Sequence, residues 1–132
     1  MIELWVATIL VLQTPNSLDV REQQKRQADS CLNHQEGLAS LLGALDQPND
    51  DSRSAATARA IQSDCSAAAD ALQADEWSAP CARFLSQHAN VAAAMGDIFE
   101  GRRRRDDTPG FIYSGWQEHA TRCYQITQIE GE

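Results

Sequence analysis

The chain has 132 residues, a formal net charge of -8 and an isoelectric point near 4.7, a length that suits one domain. Those figures exclude a large multi-domain enzyme and a polytopic membrane protein, and the acidic balance argues against a general nucleic-acid binder, which needs a basic face. Hydrophobic residues make up 42%, but 20 residues are alanine, and residues 15–132 hold only 18 Leu, Ile, Val and Phe, about 15% of that stretch, below the ~20% at which charged chains begin to look disordered.

Residues 1–14, Met-Ile-Glu-Leu-Trp-Val-Ala-Thr-Ile-Leu-Val-Leu-Gln-Thr, contain an apolar run of about ten, the length of a signal-peptide core and too short to span a bilayer. They are expected to be an apolar leader, either a signal-type segment or an N-terminal helix packed on the domain. Glu3 stands where a basic stretch belongs and no Ala-x-Ala site follows, yet Pro15-Asn16-Ser17 ends the run. Residues 15–132 are then a single helical domain.

After residue 20 no strand-like alternation occurs, and helical periodicity recurs four times. Ser17-Leu18-Asp19 can start a first helix reaching about Asp46, with Ala28, Cys31/Leu32, Leu38, Leu42 and Leu45 as its stripe. Residues 47–52 form a turn cluster with several potential N-caps. A second helix runs to about Asp75 with Ala58, Ile61, Cys65, Ala68 and Leu72 on one face. Ser78 is expected to cap the third helix, with Pro80 in its first turn. Its seam is Cys81, Phe84, His88, Val91, Met95 and Ile98, and Gly101 suits the position that ends it. A fourth helix carries Ile112, Trp116, His119, Cys123 and Ile126. Four helices with three connections predict an all-α, antiparallel up-down four-helix bundle.

Four cysteines in a chain with so thin a core read as two disulfides in an oxidising compartment. Residues level with each other across a helical hairpin lie equally far from its turn. Cys31 and Cys65 centre on Pro48 in the first turn, and Cys81 and Cys123 centre on Arg102 at the edge of the last loop. Cys65 and Cys81 differ in height by several residues, too far for a bridge. The expected pairing is Cys31–Cys65 and Cys81–Cys123, with Cys31–Cys123 the alternative. Loops of 33 and 41 intervening residues would each add about 3–4 kcal/mol through the denatured state.

Candidate chemistry is sparse. His88 and His119 fall on seam positions at similar heights, with His34 on a flank, so the three could share a metal ion in the bundle interior. The bland reading is part-buried imidazoles bonded to backbone or water. No Cys-x-x-Cys pattern supports a zinc site, and no Cys-x-x-Cys-His motif supports covalent haem. Cys123 with His119 lacks the exposure a nucleophile needs. Arg102, Arg103, Arg104 and Arg105 are the only concentrated positive charge and could hold an anion or an acidic partner. Glu100, Asp106 and Asp107 offset them in a solvated loop.

Trp116 to Cys123, with Arg122 between, is similar over about eight residues to the final helix of small exported helical proteins that include lysozyme-inhibitor-like domains. The rest of the cysteine spacing does not follow that pattern, and no site is carried over. The expectation is an exported, non-enzymatic binding module of the cell envelope, periplasmic or secreted, with a protein partner, no cofactor, no nucleic acid and no transmembrane span. The alternative is a metal- or cofactor-binding bundle using His88, His119 and His34.

Overall fold

A computed structural model describes residues 18–46, 51–107 and 109–129. The expected leader over residues 1–14 and the centre of the first turn, residues 47–50, lie outside them. The described residues form five helices: α1 (Leu18–Leu32), α2 (Gln35–Asp46), α3 (Asp51–Gln73), α4 (Ala79–Phe99) and α5 (Trp116–Thr127). Together they make an all-α antiparallel bundle, with no strand among the described residues.

The expected first helix is present but broken in two. The Asn33 N–H still bonds to the Asp29 carbonyl at 2.9 Å, whereas His34 tightens onto Cys31 at 3.0 Å, and Leu38 restarts the ladder on His34. Asn33 is a weak helix former, and the break follows directly on Cys31, which is tied to α3. The break also rotates the stripe that follows. α2 buries Leu38 and Leu41, while Leu42, expected inside, is 39% exposed. α2 nonetheless lies close on α3, since a Cβ at Gly37 would stand 3.3 Å from Ile61 Cδ1.

α3 buries every residue its periodicity nominates, Ala58, Ile61, Cys65, Ala68 and Leu72, and Ala55 and Ala69 besides. α4 is the central helix. Its seam residues Cys81, His88, Val91, Met95 and Ile98 are buried, and so are Ala82, Leu85, Ala89, Ala92, Ala94 and Phe99 from other faces. A helix apolar on most of its circumference must be enclosed. α4 packs on α3, α5 and α1.

Both expected disulfides are formed, Cys31–Cys65 with Cα atoms 4.5 Å apart and Cys81–Cys123 with 4.6 Å. Each joins two antiparallel helices at the same height, as symmetry about the turns requires.

The connections use more specific chemistry than the sequence suggests. Ser78 stands at the N-cap of α4, but its side chain does not cap that helix. Its buried hydroxyl turns back to donate to the Leu72 carbonyl at 2.6 Å, closing the end of α3 instead. At the other end of α4, the Gly101 N–H bonds to Ile98 and the Arg102 N–H to Asp97, with Gly101 at φ +79°. That is the paired-bond termination for which glycine is favoured. The last helix begins later than expected. Pro109 has no N–H to offer a helix, and Gly115 takes φ +88° immediately before Trp116. Ile112, expected on the buried face of this helix, therefore lies ahead of it and is 77% exposed.

Ion pairs fasten the bundle at two levels. Arg21 and Gln24 of α1 both donate to Asp75 beyond α3, at 2.5 and 2.8 Å. The guanidinium groups of Arg21 and Arg122 lie over the Trp77 ring at 4.2 and 4.9 Å. Toward the other end, Arg59 of α3 spans to Asp97 of α4 at 2.6 Å and to Glu100, at the C-cap of that helix, at 2.8 Å. Among the described residues no helix is long and apolar enough to cross a membrane.

Candidate functional site

The break in the first arm and the late start of α5 have a joint consequence. Between them the middle of α4 is left without a full helical cover, and residues 109–115 cross the gap as a strap. The result is an open groove of about 350 Å³. α2 supplies one wall with Leu38 and Leu42, and α4 the floor with Phe84 and His88. The strap supplies Phe111 and Ile112, and Trp116 opens the next helix. Gln35 and Ala39 complete the edge. Among the described residues no charged side chain lines it. The volume falls at the small end of the ~300–1,000 Å³ usual for ligand sites.

The strap is held in place by polar contacts outside the groove. Gln87 of α4 donates to the Gly110 carbonyl at 2.7 Å. The Tyr113 hydroxyl and His119 Nδ1 share a hydrogen bond of 3.0 Å, and burial pushes the phenol pKa up, with Arg83 opposing the shift. Phe111 stacks edgewise on His88 with ring centroids 5.0 Å apart, and Phe84 does so at 4.6 Å. His88 is 3% exposed. Its Nδ1 lies 3.0 Å from the Phe84 carbonyl oxygen, one turn back on its own helix. Burial among carbon atoms lowers its pKa below the ordinary 6.5, and the bond to Phe84 only partly opposes this.

The three histidines expected to converge have separate partners. His34 Nε2 lies 2.7 Å from Asp64 of α3, His88 is in the groove floor, and His119 bonds Tyr113. Among the described residues no group of three or more His, Cys, Asp or Glu is placed to hold a metal ion. The described residues therefore offer no ready donor set for the metal alternative.

The four arginines of the last loop divide. Arg103 and Arg104 pair with Asp107 and Asp106, and Arg102 lies 3.6 Å from Glu100. Arg105 points inward and donates to the Ala44 and Leu45 carbonyls at 2.8 and 2.9 Å, with Asp51 at 3.3 Å. It satisfies the open end of α2 and favours the negative end of that helix's dipole. The run is thus a brace for α2 at one residue and a mixed-charge surface at the other three.

A second hollow between the first turn of α4 and the flank of α5 carries Arg83 and Arg122 beside Glu118 and His119, so opposite signs share it. The groove over α4 is the feature the sequence reading missed. The sequence offers as a signal Phe111-Ile112, two adjacent large apolar residues just after Pro109-Gly110, of which Ile112 was expected on the buried face of the last helix.

No family model, curated protein sequence or solved structure matches this chain.

Proposed function

We propose that the protein is a non-enzymatic binding module of an exported, oxidising compartment, periplasmic or secreted, and that it takes a protein partner through the groove over α4. One observation carries this reading. A chain short of large apolar side chains leaves Leu42 and Ile112 exposed together, beside Phe111 and Trp116, around one open groove. Such a contiguous patch is a usual mark of an interaction surface. Two disulfides support the compartment, because they persist where thiols are not kept reduced.

The test is capture from an envelope extract with the oxidised wild type and with Leu42→Asp/Ile112→Asp. Both positions are already solvent-exposed, so the variant should melt with the wild type. The expected result is a partner retained by the wild type and reduced at least about tenfold with the variant, as for loss of a central contact. A partner held equally by both proteins would move recognition elsewhere on the molecule. Four free thiols in freshly isolated protein would count against the compartment.

A further inference from the structure

His88 decides what the groove can hold. A carbonyl oxygen only accepts, so the Nδ1 that contacts Phe84 carries the ring proton. The neutral imidazole then has its lone pair on Nε2. No described protein group donates to Nε2, although the residue is 3% exposed and its ring lines the groove. Nor is Nε2 a sealed, unsatisfied atom. With the ring lining the groove, it is left there as an unused acceptor, in a mostly apolar floor and walls whose other polar groups are the Gln35 amide at the edge and the Trp116 indole.

We propose, resting on the partner-binding reading above, that the groove is a socket for one aromatic side chain of the partner protein bearing a single hydrogen-bond donor. A tyrosine or tryptophan fits, with its O–H or N–H directed to His88 Nε2. The rings of Phe84, Phe111 and Trp116 offer edges and faces to a flat guest. A phenylalanine would fill the same space but leave Nε2 dehydrated and unpaired. A lysine or arginine would bring a charge to a site with no carboxylate among its described lining residues. The source is a protein surface because Leu42 and Ile112, 39% and 77% exposed, extend past a single ring and need a wider surface to cover them. An aromatic anchor ringed by such contacts is the usual arrangement of an interface centre.

The experiment is an NMR titration of the full, oxidised chain with N-acetyl-tyrosinamide and N-acetyl-phenylalaninamide, at a mildly alkaline pH that keeps the imidazole neutral. Both should shift the resonances of Leu42 and Ile112, the tyrosine amide binding on the order of fivefold more tightly, the worth of one neutral hydrogen bond. His88→Phe should erase that preference while still binding the phenylalanine amide. The variant should fold, because the Phe84 carbonyl keeps its helical bond when the imidazole is gone. His88→Gln, whose amide oxygen also accepts, should retain part of the preference. Equal affinity of the two amides for the wild type would overturn the donor socket and leave the groove as a plain apolar site. No shift at the groove with either amide would overturn the socket and the partner-binding reading together. Binding that emerges only in a chain lacking residues 1–14 would give the groove to the protein's own N-terminal segment and overturn the partner as occupant.

Discussion

The pair α3–α4 and the groove beside it are built from opposite materials. Four of the seven buried residues of α3 are alanine, and α4 buries four more alanines and Gly96. Small side chains let helix backbones approach closely, so this region is tight without being bulky. The groove collects Leu42, Ile112, Phe111 and Trp116, large apolar groups that remain exposed or half-covered. A chain with few such residues places several of them where they contribute little to folding. The thin core is therefore partly a matter of allocation, with apolar bulk held at the surface and covalent staples carrying stability elsewhere.

Removing a staple should weaken the tightly packed region most. Cys81→Ala/Cys123→Ala deletes the bridge that closes 42 residues of chain and is expected to lower the unfolding free energy by about 4 kcal/mol. A domain whose whole stability is ~5–15 kcal/mol would show this as a large fall in its urea midpoint. A midpoint unchanged by the double substitution would mean that the alanine seams suffice alone.

Next in size is a pair of truncations, one in each region. Leu85 is fully buried on α4 and Ile112 is 77% exposed on the strap. Leu85→Ala should cost about 3 kcal/mol through lost burial and a residual cavity. Ile112→Ala should stay within about 0.5 kcal/mol of the wild type, yet weaken partner capture. Similar losses at both sites, read in the same denaturant titration, would show that the strap belongs to the folding core after all.

How much of this was legible in the sequence depends on what each feature rests on. The disulfide pairing was readable because it needs only helical rise and the position of two turns, and Cys31, Cys65, Cys81 and Cys123 sit symmetrically about them. The α3 stripe and the end of α4 at Gly101 were readable for the same reason, as local periodicity and a residue with a conformational privilege. The break at Asn33-His34 was not. The periodic stripe runs across it with little disturbance, and nothing local shows that Cys31, held to α3, ends the first segment. The groove was hidden by the same two errors, since an unbroken first helix and an early start for α5 would have closed it. Arg105 looked like its neighbours because its targets, the carbonyls of Ala44 and Leu45, lie about sixty residues away. His88 was correctly placed at the seam, but its partner is the backbone rather than a second histidine.

The smallest expected effect is a pH dependence that separates the two regions by where it falls on the scale. His88 has a folded-state pKa below its ordinary 6.5 because it is buried, and among the described residues no charged group lines the groove to oppose that. Between the two values the unfolded chain binds a proton that the folded chain refuses. Stability is therefore highest above the unfolded pKa and declines as pH falls through about 6.5, ceasing to fall below the folded value. The carboxylates act lower. Burial raises the Asp75 pKa, but the bonds from Gln24 and Arg21 outweigh it and hold it under 3.8, while Arg59 holds Glu100 under 4.5. Their contribution is present above those values and is lost as pH falls below them. Melting temperature against pH should thus decline in two stages, a shallow one near neutrality from the groove and a second one in acid from the helix ties. His88→Phe should flatten the first stage and leave the second. An unaltered slope near neutrality in that variant would mean that the groove is not dry enough to keep an imidazole neutral, and the contrast between a charge-free socket and charge-tied helices would fail at its most testable residue.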